Sequence, residues 1–152
     1  MSAVITVFRF APDEYSASEW QSALDDGFEQ IGRLAGWSKA DGAKYRVSTI
    51  SEPLRRHLET GFDLQLSIAC TIIAEDGLEE ELQTVVKICE AAGDQWIAID
   101  DRNVVLAARR FDKLVVSDFG DDLSSSRWLE QALKFFPSPK PVQQSALKEM
   151  LQ

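Results

Sequence analysis

The sequence predicts an α+β fold, a single domain in which helices pack against a mixed, mainly antiparallel sheet. Segments with the alternating or continuous apolar pattern of strands are interspersed with segments whose apolar residues recur every three or four positions, as in amphipathic helices. The chain has 152 residues, of which 45% are hydrophobic and 27% charged. These proportions suit one domain with its own core and exclude a disordered or low-complexity chain.

The chain opens with a strand and continues into a helix. Residues 3–10 are rich in β-branched and aromatic side chains, and both alternating sets are apolar, which predicts a strand in the interior of the sheet. Ser16 and Glu19 have the spacing of a capping box, in which each side chain satisfies a free backbone N–H at a helix start. Apolar residues at helical spacing from Trp20 onward predict a helix over 17–35, closed by Gly36.

The middle of the chain predicts two strands and two helices. Residues 44–50 predict a short strand, and residues 63–73 alternate and then become continuously apolar, as expected of a core strand. A cap residue followed by an acid and a proline predicts a short helix over 52–60. A second long helix is predicted over 77–92, with Glu79–Glu81 on its outer face.

A meander of three strands follows. Residues 95–99 and 104–110 flank a polar turn, which predicts a hairpin, and 113–118 continue it as a third strand. A serine-rich cap then opens a helix predicted over 124–136.

Three prolines between positions 137 and 141 break this pattern and predict extended polyproline geometry. We therefore divide the chain into an α+β domain at residues 1–136 and a Pro-rich linker with a C-terminal amphipathic tail at 137–152. No segment has the roughly 20 apolar residues of a membrane helix, and the N-terminus lacks a signal sequence. These features predict a cytoplasmic protein.

Negative charge is concentrated in one segment. The net charge is −9, and the stretch from Glu75 to Asp122 contains 13 acidic and 5 basic residues, hence −8 of the total. Such a field repels nucleic-acid phosphates and anionic lipids and attracts cationic proteins. The alternative is that the acidic surface only maintains solubility.

No catalytic or cofactor-binding pattern is evident. His57 is the single histidine, and Cys70 and Cys89 lack metal-ligand or redox spacing. The cysteines are therefore expected to be small buried hydrophobes in a reducing compartment, and no metal or cofactor is predicted. Because no acid–base pair or nucleophile stands out, we predict that the protein is not an enzyme.

In general character the chain resembles the immunity proteins of bacterial toxin systems, including those paired with type VI secretion effectors. The resemblance rests on the strand at 5–10, the helix that carries Trp20, and the acidic block from Glu75 to Asp122 with its hairpin at 96–108. It implies a monomer or homodimer that binds a cognate toxin, often a basic enzyme, and blocks its active site. One alternative is a type III secretion chaperone, which is an obligate dimer and usually begins with a helix; a small enzyme is another.

The expected partner-binding residues lie on the turns of the acidic block. Turn-borne carboxylates are free to contact a cationic partner, and a tryptophan beside them can serve as an apolar anchor unless it belongs to the core. The predicted residues are Asp100, Asp101, Asp118, Asp121 and Asp122, with Trp96 or Trp128 as the anchor.

Overall fold

One sheet of nine strands runs through the part of the chain that the computed structural model describes. Its strands are β1 (Ala3–Phe10), β2 (Gln30–Leu34), β3 (Trp37–Ala40), β4 (Ala43–Thr49), β5 (Leu66–Ala74), β6 (Gln95–Asp100), β7 (Val105–Arg110), β8 (Lys113–Asp118) and β9 (Lys140–Gln143). The helices with defined bounds are α1 (Ala17–Gly27) and α2 (Leu82–Ala91); residues 53, 56, 130 and 132–135 are also helical. The described residues are 3–10, 17–28, 30–34, 36–40, 42–50, 53, 56, 66–77, 80–100, 105–111, 113–118, 130, 132–136 and 140–143.

The sheet is mixed but mainly antiparallel. Its strand order is β2-β3-β4-β5-β1-β6-β7-β8-β9, and every neighbouring pair is antiparallel except β8 and β9, which are parallel. β1 therefore lies in the middle of the sheet, as its doubly apolar pattern predicts. This arrangement confirms the α+β fold with helices packed on a mainly antiparallel sheet.

The core lies between the sheet and its helices. One row of paired residues crosses six strands, and all of its members are buried in the same cluster: Val47, Cys70, Val7, Ala98, Ala107 and Val116. Trp20 and Leu24 of α1 and the inward face of α2 pack in that cluster. Burial of this apolar row, at about 25 cal/mol per Å², is what holds the helices on the sheet.

The opposite face is buried only on part of the sheet. The neighbouring row of paired residues is fully buried on the central and later strands, at Ala69, Phe8, Ile97, Ala108 and Val115. On β4 the same face carries the exposed Arg46 and the half-buried Lys44. The adjacent strands β5, β1, β6, β7 and β8 are therefore buried on both faces of the sheet, whereas β4 is buried on one face only.

The helix predicted over 17–35 is wrong after Gly27. Residues 30–34 form β2, which pairs with β3 through a tight turn at Gly36, where φ is +87°. Gly36 therefore supplies the left-handed turn of a hairpin and not a helix end. Gly27 and Gly32 lower helix propensity in this stretch, and the apolar spacing of the helix pattern also fits two short strands.

The helix predicted over 77–92 begins later, at Leu82. Glu75 and Asp76 form a turn that is closed by a 3.2 Å hydrogen bond from Gly77 N–H to the carbonyl of Ala74. The prediction that Glu79–Glu81 all face outward is wrong for Glu81, which is 5% exposed, while Glu80 is exposed as expected. Glu79 lies outside the described residues.

The proline-rich segment is not only a linker. Lys140–Gln143 form β9, whose register pairs Val115 with Lys140 and Asp118 with Gln143. An edge strand tolerates Pro141 because one of its sides needs no partner. The polyproline prediction for 140–141 is therefore corrected.

The other predicted strands are confirmed within one to three residues, including the short strand at 44–50 and the three-stranded meander over 95–118. The predicted helices at 52–60 and 124–136 lie mostly outside the described residues; 53, 56, 130 and 132–135 are helical.

Candidate functional site

The register brings acidic residues from three separate connections to one end of the sheet. β1 pairs Ala3 with Ala74 and Ile5 with Asp100, so the turn after β5 and the end of β6 lie together. Ala98 and Val116 share the partner Ala107, and Asp100 and Asp118 each follow two residues later on their strands. We call this edge the acidic end and define it by Glu75, Asp76, Glu80, Glu81, Asp100 and Asp118.

The structure locates only part of the predicted site. Asp100 is half-buried at the acidic end, and the backbone of Asp118 ends its strand at the same level. The remaining acids and one anchor lie outside the described residues: Asp101, Asp121, Asp122 and Trp128. Two strands that are separated by one neighbour have backbones about 10 Å apart, so Asp100 and Asp118 fit within one protein contact surface.

Trp96 is a core residue and not an exposed anchor. Its side chain is 0% exposed, and its ring stacks on Phe136 with the ring centroids 6.1 Å apart. It pairs with Arg9 and Arg109 on the neighbouring strands, at the end of the sheet opposite Asp100. Trp96 therefore belongs to the core, which was the alternative to an exposed anchor.

Two lysines partly neutralise the acidic end. Lys39 Nζ lies 3.2 Å from one oxygen of Glu75, and Lys44 Nζ lies 3.6 Å from the other. The two lysines face each other across β3 and β4, and Glu75 bridges them. Asp76 and Glu80 are exposed beside this bridge, so negative charge remains in excess.

Glu81 is a buried carboxylate that sequence reasoning missed. Neither of its oxygens has a hydrogen-bond partner in the described part of the chain. Burial raises the pKa of this carboxyl above its usual 4.5, and the nearby charge of Asp76 adds to the rise. A Cβ on Gly42 would collide with Glu81 Oε1, so the glycine turn between β3 and β4 leaves the room that this carboxyl occupies.

A polar network links α1 to the strands β3 and β4. Gln21 donates to Asp25 (3.1 Å) and to Ser38 (3.0 Å), and the Tyr45 hydroxyl donates to the same Asp25 oxygen (2.8 Å). The backbone N–H of Val47 donates to Gln21 Oε1 (2.8 Å), at a level of β4 beyond the last residue paired with β3. Gln21 thus replaces a missing strand partner, and the network is a structural one.

The opposite end of the sheet carries arginines that have partners within the chain. The guanidinium of Arg9 lies 5.3 Å from the ring centroid of Trp20, a cation–π distance. Arg109 Nη2 lies 3.2 Å from Glu90 at the end of α2, and Arg109 Nη1 donates to the Phe111 carbonyl (3.3 Å). We call this edge the arginine end.

Neither cysteine is placed for chemistry. Cys70 and Cys89 are both free and buried, and burial raises the pKa of each thiol far above its usual value, so neither forms a thiolate readily. No group of three or more metal-binding side chains occurs among the described residues, which leave out His57. No described helix is both long and apolar enough to span a membrane.

Comparison with known proteins gives no assignment. Family models, curated proteins and solved structures were all searched, and none of the three searches returned a match to this chain.

Proposed function

We propose that this protein binds and neutralises a basic partner protein through the acidic end of its sheet. The observation that carries the proposal is that the turn after β5, the start of α2 and the ends of β6 and β8 meet at one end of the sheet, where Asp76 and Glu80 are exposed. Lys39 and Lys44 lie at the same end of the sheet, and both are bound to Glu75. A cationic surface is attracted to such a field before contact and is oriented by it.

The proposed activity is inhibition by steric and electrostatic blocking. A basic enzyme that acts on phosphate-bearing substrates needs a cationic cleft, and a rigid rim of carboxylates can occupy that cleft in place of the substrate. The same field disfavours nucleic acid as a ligand of this protein. This is the function implied by the resemblance to immunity proteins of the type VI effector kind, in a cytoplasmic protein without a cofactor.

The test compares two triple variants that change the net charge equally. Partner protein is captured from the native host and purified, and its association rate is measured at low and high salt. The first variant removes exposed or half-buried acids of the acidic end, and the control removes three exposed acids elsewhere. The first is Asp76→Asn, Glu80→Gln and Asp100→Asn, and the control is Asp26→Asn, Asp94→Asn and Glu130→Gln.

We expect the first variant to slow association at least tenfold at low ionic strength and the control to change it less than threefold. The difference should shrink in 1 M salt, where the Debye length is about 3 Å. Equal loss in both variants would assign the effect to net charge alone and contradict a localised site. If the protein sediments only as a dimer and its ligand is an unfolded effector, the secretion-chaperone alternative replaces this proposal.

A further inference from the structure

The start of α2 lacks a side-chain cap. Glu81 occupies the N-cap position, and its carbonyl accepts a hydrogen bond from the Val85 N–H (3.1 Å). Its side chain, however, makes no capping hydrogen bond, and the first turn of this helix, all of whose residues the structure describes, contains no acid. The first N–H groups of a helix have no acceptor within it and favour a negative charge nearby. The N-terminus of α2 is therefore a favourable position for a carboxylate that the Glu81 side chain does not occupy.

The Glu81 carboxyl lies instead against the turn between β3 and β4. The residue is 5% exposed, and neither carboxyl oxygen has a hydrogen-bond partner among the described residues. A Cβ on Gly42 would collide with Oε1, so the carboxyl packs directly against this glycine. Burial without a partner is costly for an ionised carboxylate and much less costly for the neutral acid.

The charged groups around this carboxyl favour its release once it ionises. Asp76, in the turn after β5, adds negative charge beside it. Lys39 and Lys44 flank the β3–β4 turn, but both are bound to Glu75. Lys44 also lies on the face of β4 opposite the core, whereas α2 packs on the core face. The other titratable groups at this end are all acidic: Glu80, Asp100 and Asp118, together with Asp41, which precedes Gly42 in the sequence and lies outside the described residues.

From this geometry we infer that Glu81 is a two-position switch governed by pH. As the neutral acid, its carboxyl docks at Gly42 and ties the start of α2 to the turn between β3 and β4. On ionisation its proton passes to solvent, and the carboxylate leaves the turn for the N–H groups at the start of α2, where negative charge is stabilised. Rising pH thus adds one negative charge to the acidic end and loosens the β3–β4 turn.

Neither position of the carboxyl is favourable at every pH. The docked carboxyl gains packing contacts but makes no hydrogen bond to a described residue. The capping carboxylate gains hydrogen bonds and the favourable field of the helix, but it leaves a space beside Gly42. The backbone of Glu81 stays at the N-cap in both cases, so rotation of the side chain connects them. The inference concerns the isolated chain and does not rest on the proposed function.

The first test follows the proton in the purified protein. The side-chain carboxyl carbon of Glu81 is titrated by NMR across the acidic and neutral range, and its resonance is assigned by its loss in Glu81→Gln. We expect a midpoint above 4.5, and amide shifts at Gly42 and Gln83 that change with the same midpoint. A shared midpoint would show that both positions of the carboxyl respond to one proton.

Hydrogen exchange then gives the direction of the movement. After correction for the intrinsic exchange rate, amide protection at residues 82–84 should increase as pH rises through the midpoint, and protection at residues 42–43 should decrease. We expect each change to be about two- to fivefold, the range that a charge at a helix N-terminus produces. Changes of opposite sign at the two sites are what distinguishes a switch from a general loss of stability.

Two variants should each hold the switch in one position. Glu81→Gln keeps the length of the side chain without its charge, so we expect the low-pH exchange pattern at every pH. Glu81→Asp is one methylene shorter and caps helices better, so we expect the high-pH pattern throughout. Glu80→Gln, at the exposed neighbour, is the matched control and should retain the switch.

Three results would overturn the inference. These are a Glu81 midpoint at or below 4.5, ionisation of Glu81 without opposite changes in protection at the two sites, and a pH-dependent pattern that persists in Glu81→Gln. The second result would show that the carboxylate ionises where it lies, and the third would assign the response to another acid. If Glu81→Asp does not fold, the parent and Glu81→Gln decide between these outcomes.

Discussion

At the arginine end of the sheet, Arg9 lies over the Trp20 ring and Arg109 is bound to Glu90. At the acidic end, Glu81 is buried with no hydrogen-bond partner among the described residues, and Asp76 and Glu80 are exposed. Charge at the first end is largely satisfied within the chain, so it contributes to the fold. Negative charge at the acidic end exceeds the positive charge of Lys39 and Lys44. It therefore creates an electrostatic field outside the protein, at some cost to stability. The two ends should therefore respond differently to substitution.

The largest effect is expected from Trp96, which anchors the arginine end. Trp96→Ala removes a fully buried ring that stacks on Phe136, and we expect a loss of about 3–5 kcal/mol in the free energy of unfolding, measured by urea denaturation. Trp96→Phe is the control, because it keeps an aromatic ring and removes an indole N–H that has no hydrogen-bond partner in the described structure. If both variants lose equal stability, stacking is not what holds this end.

The next effect separates backbone strain from the burial of Glu81. Gly42 and Gly36 have nearly the same φ, +88° and +87°, but only at Gly42 would a Cβ meet the Glu81 carboxylate. We expect Gly36→Ala to cost about 1 kcal/mol through strain alone, and Gly42→Ala to cost about 2–3 kcal/mol because Glu81 must also move. Equal costs in thermal unfolding would show that Glu81 relocates freely.

The pH dependence of stability tests the buried carboxyl itself. Because the folded-state pKa of Glu81 is raised, the folded protein binds this proton more tightly than the unfolded chain does. This contribution therefore favours folding at low pH, falls as pH rises above about 4.5, and becomes constant above the folded pKa. Glu81→Gln should remove this fall, because the amide does not titrate. Glu80→Gln, at the exposed neighbour, is the control with the same change of side chain.

The smallest effect compares one ion pair from each end. Double-mutant cycles for Arg109 with Glu90 and for Lys39 with Glu75 should give coupling energies of about 0.2–1 kcal/mol, since all four side chains retain contact with water. We expect the arginine pair to be stronger, because Arg109 is the most buried of the four and also binds the Phe111 carbonyl. A stronger lysine pair would reverse the contrast between the two ends.

Local patterns predicted β1 and β8 well and the hairpin after α1 poorly. β1 and β8 match their predicted bounds because β-branched and aromatic residues favour the strand conformation. Residues 30–40 have apolar spacing that suits either a helix or two short strands, and the pairing of β3 with β4 decided between them. The burial of Glu81 likewise depends on Gly42, which lies 39 positions earlier in the chain.

The sequence by itself determined the α+β class, the segments of the meander and the location of most of the negative charge in one stretch. These follow from periodicity and composition, which act over a few neighbouring residues. Only the tertiary structure decided that Asp100 lies beside the Glu75 turn, that Trp96 is buried, that Lys140–Gln143 join the sheet and that Phe111 projects from its turn. Strand order and register are set by contacts between residues far apart in the chain, which no local pattern encodes.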